Sequence, residues 1–283
     1  MIYVSSACVK ENSIKNSIEK LIKFDFKNIE LSGGTSYYDA LTEDLVNLKK
    51  KHDLNYLIHN YFPPPKENFV INLASTNDKI SHQSLELCKQ AIDMCKYFNI
   101  AKYSVHAGFR LDINSEEVGK KIKKKIFNNK ENSIKNFKKN WEILKKIAGE
   151  EVELYLENNV LSKLNYETQQ DNPFFLTDFQ SYQELKNEFD FKLLLDIGHL
   201  KVSCNSLSHN FKEEYKKLID HSDFIQLSNN NALSDSNLDI KKDSDVFELL
   251  KNTINLGKKT ISLEIYNGLE NVRKTKKLLE SII

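Results

Sequence analysis

The chain has 283 residues, and its 41 Lys and Arg residues against 40 Asp and Glu residues leave a formal net charge of +1. This balance excludes a global field that would recruit nucleic acid or an anionic membrane. No apolar stretch reaches the length of a membrane span, and Met1 leads directly into Ile2-Tyr3-Val4 without the basic segment of a signal peptide. We therefore expect a cytoplasmic protein that makes no membrane contact.

The first half of the chain alternates short apolar runs with stretches of helical periodicity. The strand-like runs are residues 2–7, 28–31, 55–59 and 103–106. Helices are predicted at residues 12–23, around the stripe of Leu41, Leu45 and Leu48, and at about 79–98 and 134–148. Phe62-Pro63-Pro64-Pro65 predicts a long loop, because proline lacks the amide donor that a helix interior or a central strand requires. Residues 109–130 are highly charged and fit no single element.

The second half of the chain is more regular. Its strand-like runs are residues 152–157, 192–196, 224–227 and 260–265. Helices are predicted near residues 182–188, 212–219, 246–255 and 272–279. Eight strands that alternate with helices favour a parallel sheet, because parallel neighbours need crossover connections.

Eight such units close naturally into a barrel, so the predicted fold class is α/β, a (β/α)8 TIM barrel, with a single domain over residues 1–283. The competing architecture is an open doubly wound sheet. Its usual marker is a glycine-rich phosphate turn after the first strand, whereas Ser6-Ala7-Cys8-Val9 contains no glycine.

Most of the predicted strands end in a residue type that binds metals or transfers protons. These residues are Glu30, His59, His106, Glu157, Asp196, Gln226 and Glu264. The carboxyl ends of parallel barrel strands converge at one end of the fold, which is where such barrels carry their chemistry.

His59 and His106 end two neighbouring strands, and Glu157 ends the next. Either histidine alone is more readily a structural residue than a ligand. Two imidazoles and a carboxylate at one level, however, form a suitable ligand set for zinc, manganese or iron.

Two further carboxylates follow apolar runs. Asp196 ends Leu193-Leu194-Leu195, with His199 three residues later, past a glycine that can turn the chain, and Glu264 lies within Ser262-Leu263-Glu264-Ile265. A buried carboxylate needs a metal, a cation or several hydrogen bonds. A structural hydrogen-bond network explains any one of these residues, but it explains five ligand-type residues at corresponding strand ends poorly.

With these residues the chain resembles the xylose isomerase-like barrel superfamily, which includes sugar isomerases, epimerases and endonuclease IV. In its epimerases a divalent ion is held by Glu, Asp, His and Glu from strands five to eight, and the resemblance places these ligands at Glu157, Asp196, Gln226 and Glu264. Strand seven departs from the pattern, because Gln226 stands where the family has histidine and a neutral oxygen suits harder ions. The implied cofactor is a divalent metal ion, with Mn, Zn, Mg and Co as candidates.

The resemblance to endonuclease IV adds His59 and His106 at one metal site and His199 at another, with Asp-x-His after strand seven. Here Asp235-Ser236-Asn237 has an amide in place of that histidine. The altered ligands weaken a three-metal site more than a one-metal site. The lysines of residues 120–130 alternate with apolar residues, which is typical of a solvated helix face, so a nucleic-acid partner is not favoured.

The leading hypothesis is a metal-dependent isomerase or epimerase acting on a sugar, a sugar phosphate or a related polyhydroxy carbonyl compound. The resemblance implies that Glu157 and Glu264 bind the ion and transfer the proton, while His199 hydrogen-bonds a substrate hydroxyl. Arg110 is a candidate for a substrate phosphate or carboxylate, and Asp235 and Asn237 are further candidates for substrate contacts. The expected partner is a small carbohydrate-like substrate, and the sequence leaves open whether the chain forms a homo-oligomer.

Two alternatives remain. The first is an endonuclease IV-like phosphodiesterase in which His59, His106 and Glu157 hold an ion that generates hydroxide. The second is a non-catalytic barrel that uses its mouth to bind a ligand, which Gln226 and Asn237 support.

Overall fold

The computed structural model describes residues 1–283. Eight parallel strands close into a barrel in chain order, with β1 paired to β8. The strands are β1 Ile2–Ser5, β2 Asn28–Leu31, β3 Asn55–His59, β4 Lys102–His106, β5 Glu153–Glu157, β6 Lys192–Asp196, β7 Phe224–Leu227 and β8 Thr260–Leu263. The predicted (β/α)8 TIM barrel is therefore confirmed.

Ten helices surround the barrel and connect its strands. They are α1 Ile14–Lys23, α2 Leu41–His52, α3 Asp78–Phe98, α4 Lys130–Ala148, α5 Lys163–Gln169, α6 Phe179–Glu188, α7 Ile197–Leu207, α8 Phe211–Ile219, α9 Asp245–Lys251 and α10 Leu269–Glu280. The sequence did not predict α5 or α7. None of the ten helices combines the length and the apolarity needed to cross a membrane.

The strands are buried on both faces, which explains their continuous apolar sequences. In β6, Leu193, Leu194 and Leu195 are each at most 1% exposed. Helices cover the outer face of the barrel, and the residues of the two faces join in one hydrophobic core.

The stagger of the strands brings the polar strand-end residues to the same side. His59 aligns with Ser104, so His106 lies two residues further along its strand. The same two-residue step separates Glu157 from Asp196, because Glu157 aligns with Leu194. A third step separates Gln226, which aligns with Ser262, from residue 264. Side chains alternate between the faces with a period of two, so each step keeps the functional side chains on one face.

Residues 109–128, here called the cover loop, lie over the barrel mouth with only one short 3-10 turn. Two buried side chains of α5 hold its backbone. Asn165 accepts from the Ile122 amide at 2.8 Å and donates to the Lys120 carbonyl at 3.1 Å. Gln169 donates to the carbonyl of Lys123 at 2.9 Å and accepts from the amide of residue 125 at 3.1 Å. The loop is thus ordered by side-chain bonds, from α5 and from its own Glu117, and not by a strand ladder.

Candidate active site

A cavity of about 1060 Å³ opens at the carboxyl ends of the strands. Its lining includes six of the residues selected from the sequence, namely His59, His106, His199, Asp235, Asn237 and Glu264. Glu157, Asp196 and Gln226 lie outside this lining and are fully buried at the strand ends. The carboxyl end of the barrel thus gathers residues from β3 through β8.

Glu157 lies among three imidazole rings. Its Oε2 atom is 3.1 Å from His59 Nε2 and 3.3 Å from His106 Nε2, and its Oε1 atom is 3.1 Å from His199 Nδ1. Burial lowers the pKa of His59 to about 4 and also lowers the pKa of His106, so both rings are neutral at pH 7. Burial opposes ionisation of Glu157, but the three surrounding imidazoles, including the charged His199 described below, outweigh it and hold the pKa of Glu157 well below its ordinary value.

His199 lies between two carboxylates. Its Nε2 atom is 3.3 Å from Asp235 Oδ2, on the side opposite Glu157. Burial alone would lower the pKa of His199, but the charges of Asp196 and Asp235 raise that pKa well above its ordinary value. His199 is therefore a cation that can donate a hydrogen bond toward the cavity. Asn237 Nδ2 donates to the same Asp235 oxygen at 3.3 Å.

Asp196 forms the N-terminal cap of α7. Its Oδ1 atom accepts from the His199 amide at 2.6 Å, which leaves Oδ2 without a hydrogen-bond partner. Asn158 fixes the backbone of Asp196 by two bonds, at 2.7 and 2.9 Å. Gly198 was expected to turn the chain, but it lies inside α7, where a Cβ atom would clash with Ser228 Oγ. The glycine permits close packing of the helix on the β7 end of the barrel.

Gln226 connects two carboxyl groups. Its Nε2 atom donates to Glu264 Oε2 at 2.7 Å and lies 3.5 Å from Glu30 Oε1, while its Oε1 atom has no partner. The hydroxyl of Tyr266 donates to Glu264 Oε1. Burial raises the pKa of Glu264 to about 7 and raises the pKa of Glu30 well above its ordinary value.

The donor set fits a divalent cation. Several buried acceptor atoms have no hydrogen-bond partner, and they are Glu30 Oε2, both carboxylate oxygens of Glu157, Asp196 Oδ2, Gln226 Oε1, Asp235 Oδ1 and Asn237 Oδ1. Two groups place their ligand atoms within 4.8 Å of one another, His59-His106-Glu157 and Glu157-Asp196-His199, and the second requires His199 to lose its proton on binding the ion. Buried unpaired acceptors are costly, and carboxylate oxygens with imidazole nitrogens are the ligands of zinc and manganese sites.

Arg110 does not line the cavity. Its guanidinium donates to the Asn172 carbonyl at 3.0 Å, lies 3.5 Å from Asp171 and stacks 5.2 Å from the ring of Phe127. The lysines at positions 120, 121, 123, 124 and 125 are also placed differently from the expected helix face, because they belong to the cover loop, whereas Lys130 begins α4. Lys120 and Lys121 line the cavity.

Three residues at the site were given no role from the sequence. Glu30 was noted only as a polar strand end, although a glutamate between Ile29 and Leu31 is itself a sign of a buried carboxylate. Tyr266 follows Glu264 by two residues. This spacing does not indicate that the Tyr266 hydroxyl donates to the Glu264 carboxyl group. The side-chain amide of Asn158 bonds the backbone of Asp196, and sequence patterns do not reveal contacts of this kind.

The fold and the site define a (β/α)8 barrel with a candidate metal centre at its carboxyl end. The sequence profile of the xylose isomerase-like TIM barrel family matches residues 18–282. The chain belongs to this family. No curated protein sequence matches the chain.

Solved structures with the same fold cover nearly the whole chain. A D-tagatose 3-epimerase-like protein has 20% sequence identity and a TM-score of 0.73, covering 99% of this chain and 96% of its own. Endonuclease IV from Thermus thermophilus has 13% identity and a TM-score of 0.62, covering 99% of both chains. The E. coli 3-keto-D-glucoside 4-epimerase YcjR has 9% identity and a TM-score of 0.64, covering 99% of this chain and 98% of its own. At these identities the likeness establishes the fold.

His59 should make the metal-free protein less stable as the pH falls from about 6.5 to about 4, whereas the raised pKa of Glu264 acts in the opposite direction. Because burial lowers the pKa of His59 to about 4, the unfolded chain binds a proton in this range that the folded chain does not. The shift corresponds to about 3 kcal/mol of unfolding free energy at most. Chemical denaturation of the chelator-treated protein between pH 4.5 and 7.5 measures this slope. His59→Gln removes the His59 contribution, so as the pH falls this variant should lose less stability, or gain more, than the unmodified protein. The exposed His82→Gln should leave the slope unchanged, and equal slopes in all three proteins would contradict the expectation.

Proposed function

We propose that this protein is a metal-dependent isomerase or epimerase acting on a sugar, a sugar phosphate or a related polyhydroxy carbonyl compound. The observation that carries the proposal is the set of buried, unpartnered acceptor atoms at the strand ends, next to a cavity of about 1060 Å³. Such acceptors need a cation and hydroxyl donors, and a sugar supplies several hydroxyl groups. The structural likeness to epimerases of sugars supports this choice.

The proposed metal ligands are the carboxylates of Glu157, Asp196 and Glu264 and the amide oxygen of Gln226. His59 and His106 are the imidazole candidates for the same ion or a neighbouring one. A divalent ion bound here supplies polarisation of a substrate carbonyl and stabilises negative charge on its oxygen.

Glu264 is the proposed group that accepts and returns the substrate proton. It lines the cavity, and each of its oxygens accepts one hydrogen bond, from Tyr266 and from Gln226, so each retains a lone pair. Burial raises its pKa to about 7, so it can release or take a proton near neutral pH. Glu157, with a pKa of about 2, stays ionised as the partner carboxylate.

His199 and Asp235 are proposed to orient the substrate. Both line the cavity, with His199 Nε2 and Asp235 Oδ2 separated by 3.3 Å. The imidazolium donates and the carboxylate accepts, so the pair can hold one hydroxyl group by two hydrogen bonds. Asn237 extends this polar wall with an unpartnered amide oxygen.

The second candidate function is an endonuclease IV-like phosphodiesterase. The group that favours it is His59-His106-Glu157, whose ligand atoms lie within 4.8 Å of one another. Gln226 and Asn237 stand against it, because they place amides where that family has histidine ligands.

One set of measurements separates these functions. Elemental analysis of the purified protein should find a divalent metal bound to the chain. The same protein should exchange solvent deuterium into members of a panel of ketoses, keto acids and their phosphates, and should leave abasic DNA uncut. Cleavage of abasic DNA without any exchange would establish the phosphodiesterase, and neither activity without bound metal would establish a non-catalytic barrel.

Gln226→His should tighten the binding of zinc or manganese, because an imidazole nitrogen binds these ions better than an amide oxygen. The expected gain is about tenfold or more, on the scale that changes near a metal site produce. Competition titration with a chromogenic chelator measures it. Gln180→His, an exposed substitution on α6, controls for adventitious binding by an added histidine. Equal affinity in the variant and the unmodified protein would mean that Gln226 serves only to bond Glu264.

A further inference from the structure

The residues that line the cavity are polar and charged at the strand ends, and many are apolar nearer the mouth. Histidines and carboxylates line the floor, as described above. Nearer the mouth, the lining comes from the cover loop, from α5 and the segment after it, and from the loops after β7 and β8. Its apolar members include Ile113, Val118, Leu164, Phe174 and Leu233.

Exposed apolar side chains of this protein are concentrated at the mouth of the cavity. Eleven large hydrophobic side chains of the whole protein are exposed, and four of them line this one cavity. These four are Val118, Leu164, Leu233 and Tyr266, which are 50%, 49%, 52% and 40% exposed. Single exposed apolar residues need no explanation, but a cluster from separate elements around one cavity marks a surface that binds something apolar.

The apolar wall is also held in place. Asn165 and Gln169 bind the backbone of the cover loop, as described above, and Ile122 anchors the loop in a small core with Val70 and Phe109. Because the backbone of the loop is fixed, the exposed side chain of Val118 cannot become buried in the protein interior. A preformed apolar wall beside a few convergent polar groups is the usual construction of a small-molecule site.

We propose that the substrate carries an apolar group at the end away from its reacting carbonyl, and that Val118, Leu164 and Leu233 bind this group. The inference rests on the proposed function for the polar end of the ligand. The volume of about 1060 Å³ agrees with it, because sites of roughly 300 to 1000 Å³ hold drug-sized ligands, which exceed one sugar ring.

A phosphate at that end is the competing group, because Lys10, Lys120 and Lys121 also line the cavity. All three lysines are exposed, and none forms an ion pair. Long exposed ammonium side chains can extend into water, so they do not compel an anionic ligand. The exposed side chains of Val118, Leu164 and Leu233 cannot avoid water in this way.

The test compares ligands that differ only at the far end. Calorimetry on the protein as purified, with its metal, measures the affinities of the 6-O-methyl and 6-O-hexyl ethers of D-fructose and of D-fructose 6-phosphate. Each buried methylene strengthens binding by roughly fourfold, so the hexyl ether should bind at least about tenfold more tightly than the methyl ether even if only two methylenes are buried. It should also bind more tightly than the phosphate.

Variants connect that preference to the proposed wall. Val118→Ser and Leu164→Ser should each weaken the hexyl ether by about three- to tenfold and leave the methyl ether within about twofold. Both side chains are about half exposed, so neither substitution removes a core residue. The control is Ile126→Ser, in the same cover loop, whose side chain is 95% exposed and does not line the cavity.

The outcomes separate this inference from the proposed function. A hexyl preference that the two wall variants remove supports the inference, even if no ketose exchanges deuterium and the isomerase proposal fails. Deuterium exchange with equal affinities for both ethers overturns the inference and leaves the isomerase standing. Tighter binding of the phosphate, a preference that only Ile126→Ser removes, or no binding of any of the three ligands also overturns it.

Discussion

Glu157→Gln is expected to remove most of the bound metal, and turnover with it. Glu157 is the one residue shared by both potential ligand groups, so its loss affects every arrangement of the ion at this end of the barrel. Gln keeps the size and one oxygen but loses the charge that offsets a divalent cation. Affinity should fall by at least about 10- to 100-fold, the range already seen when only a supporting residue of a metal site is changed. Elemental analysis after dialysis against a chelator gradient provides the measurement.

The matched control is Glu153→Gln, the same substitution at the other end of β5. Glu153 is exposed and pairs with Lys192, so its replacement should leave the metal content unchanged. Circular dichroism establishes that both variants are folded. If Glu157→Gln retained full metal affinity, Glu157 would not be a ligand, and the ion would have to lie with Glu264 and Gln226.

Glu264→Gln is expected to retain part of the metal while turnover collapses. The amide keeps one ligating oxygen and can still contact Gln226, but it cannot carry a proton between two substrate positions. General acid/base groups typically contribute about 100- to 10,000-fold, so the rate of solvent deuterium exchange into the substrate should fall within that range. Nuclear magnetic resonance of the ketose in deuterium oxide measures this exchange rate, and the metal content is determined on the same sample.

Glu270→Gln serves as the control for this variant, because Glu270 is an exposed residue of α10 that pairs only with Arg273. Its exchange rate should match that of the unmodified protein. A loss of less than tenfold in Glu264→Gln, with metal still bound, would remove Glu264 from the proton transfer and leave it as a ligand.

The strands were predicted well because each is a short apolar run with a clear end. Residues 28–31, 55–59, 192–196 and 224–227 have the predicted bounds. The first and last strands are shorter than predicted. β1 gives way to a 3-10 turn at Ser6–Cys8, and β8 ends at Leu263, so that Glu264 lies just beyond it.

Two helices were missed for different physical reasons. α7 starts directly at the end of β6, because Asp196 caps it and Gly198 lets it pack closely, whereas the sequence Asp-Ile-Gly-His resembles a turn. α5 is a single short helix of seven residues without an apolar stripe, and its buried side chains include the polar Asn165 and Gln169. Periodicity of hydrophobic residues cannot detect a helix whose inward face is polar.

The site itself was accessible from the sequence as a set of residues but not as a network. The barrel topology alone brings His59, His106 and Glu157 together, because parallel strands share one functional end. The bond from Gln226 to Glu264 could not be derived in the same way, because it depends on where an amide side chain points. The hydrogen bond from Arg110 to the Asn172 carbonyl, outside the cavity, likewise depends on the path of the cover loop, which no local sequence pattern specifies.

The way in which α5 holds the cover loop has a consequence for how this protein can change. Asn165 and Gln169 bind only main-chain atoms of the loop, so these bonds do not depend on the side chains at positions such as 118 and 121, whereas Glu117 and Ile122 hold the loop through their own side chains. Residues such as Val118 and Lys121 can therefore mutate freely without unfolding the mouth of the barrel. Divergence toward new ligands, in nature or in a directed-evolution library, should accumulate in this loop while the two α5 amides stay constant.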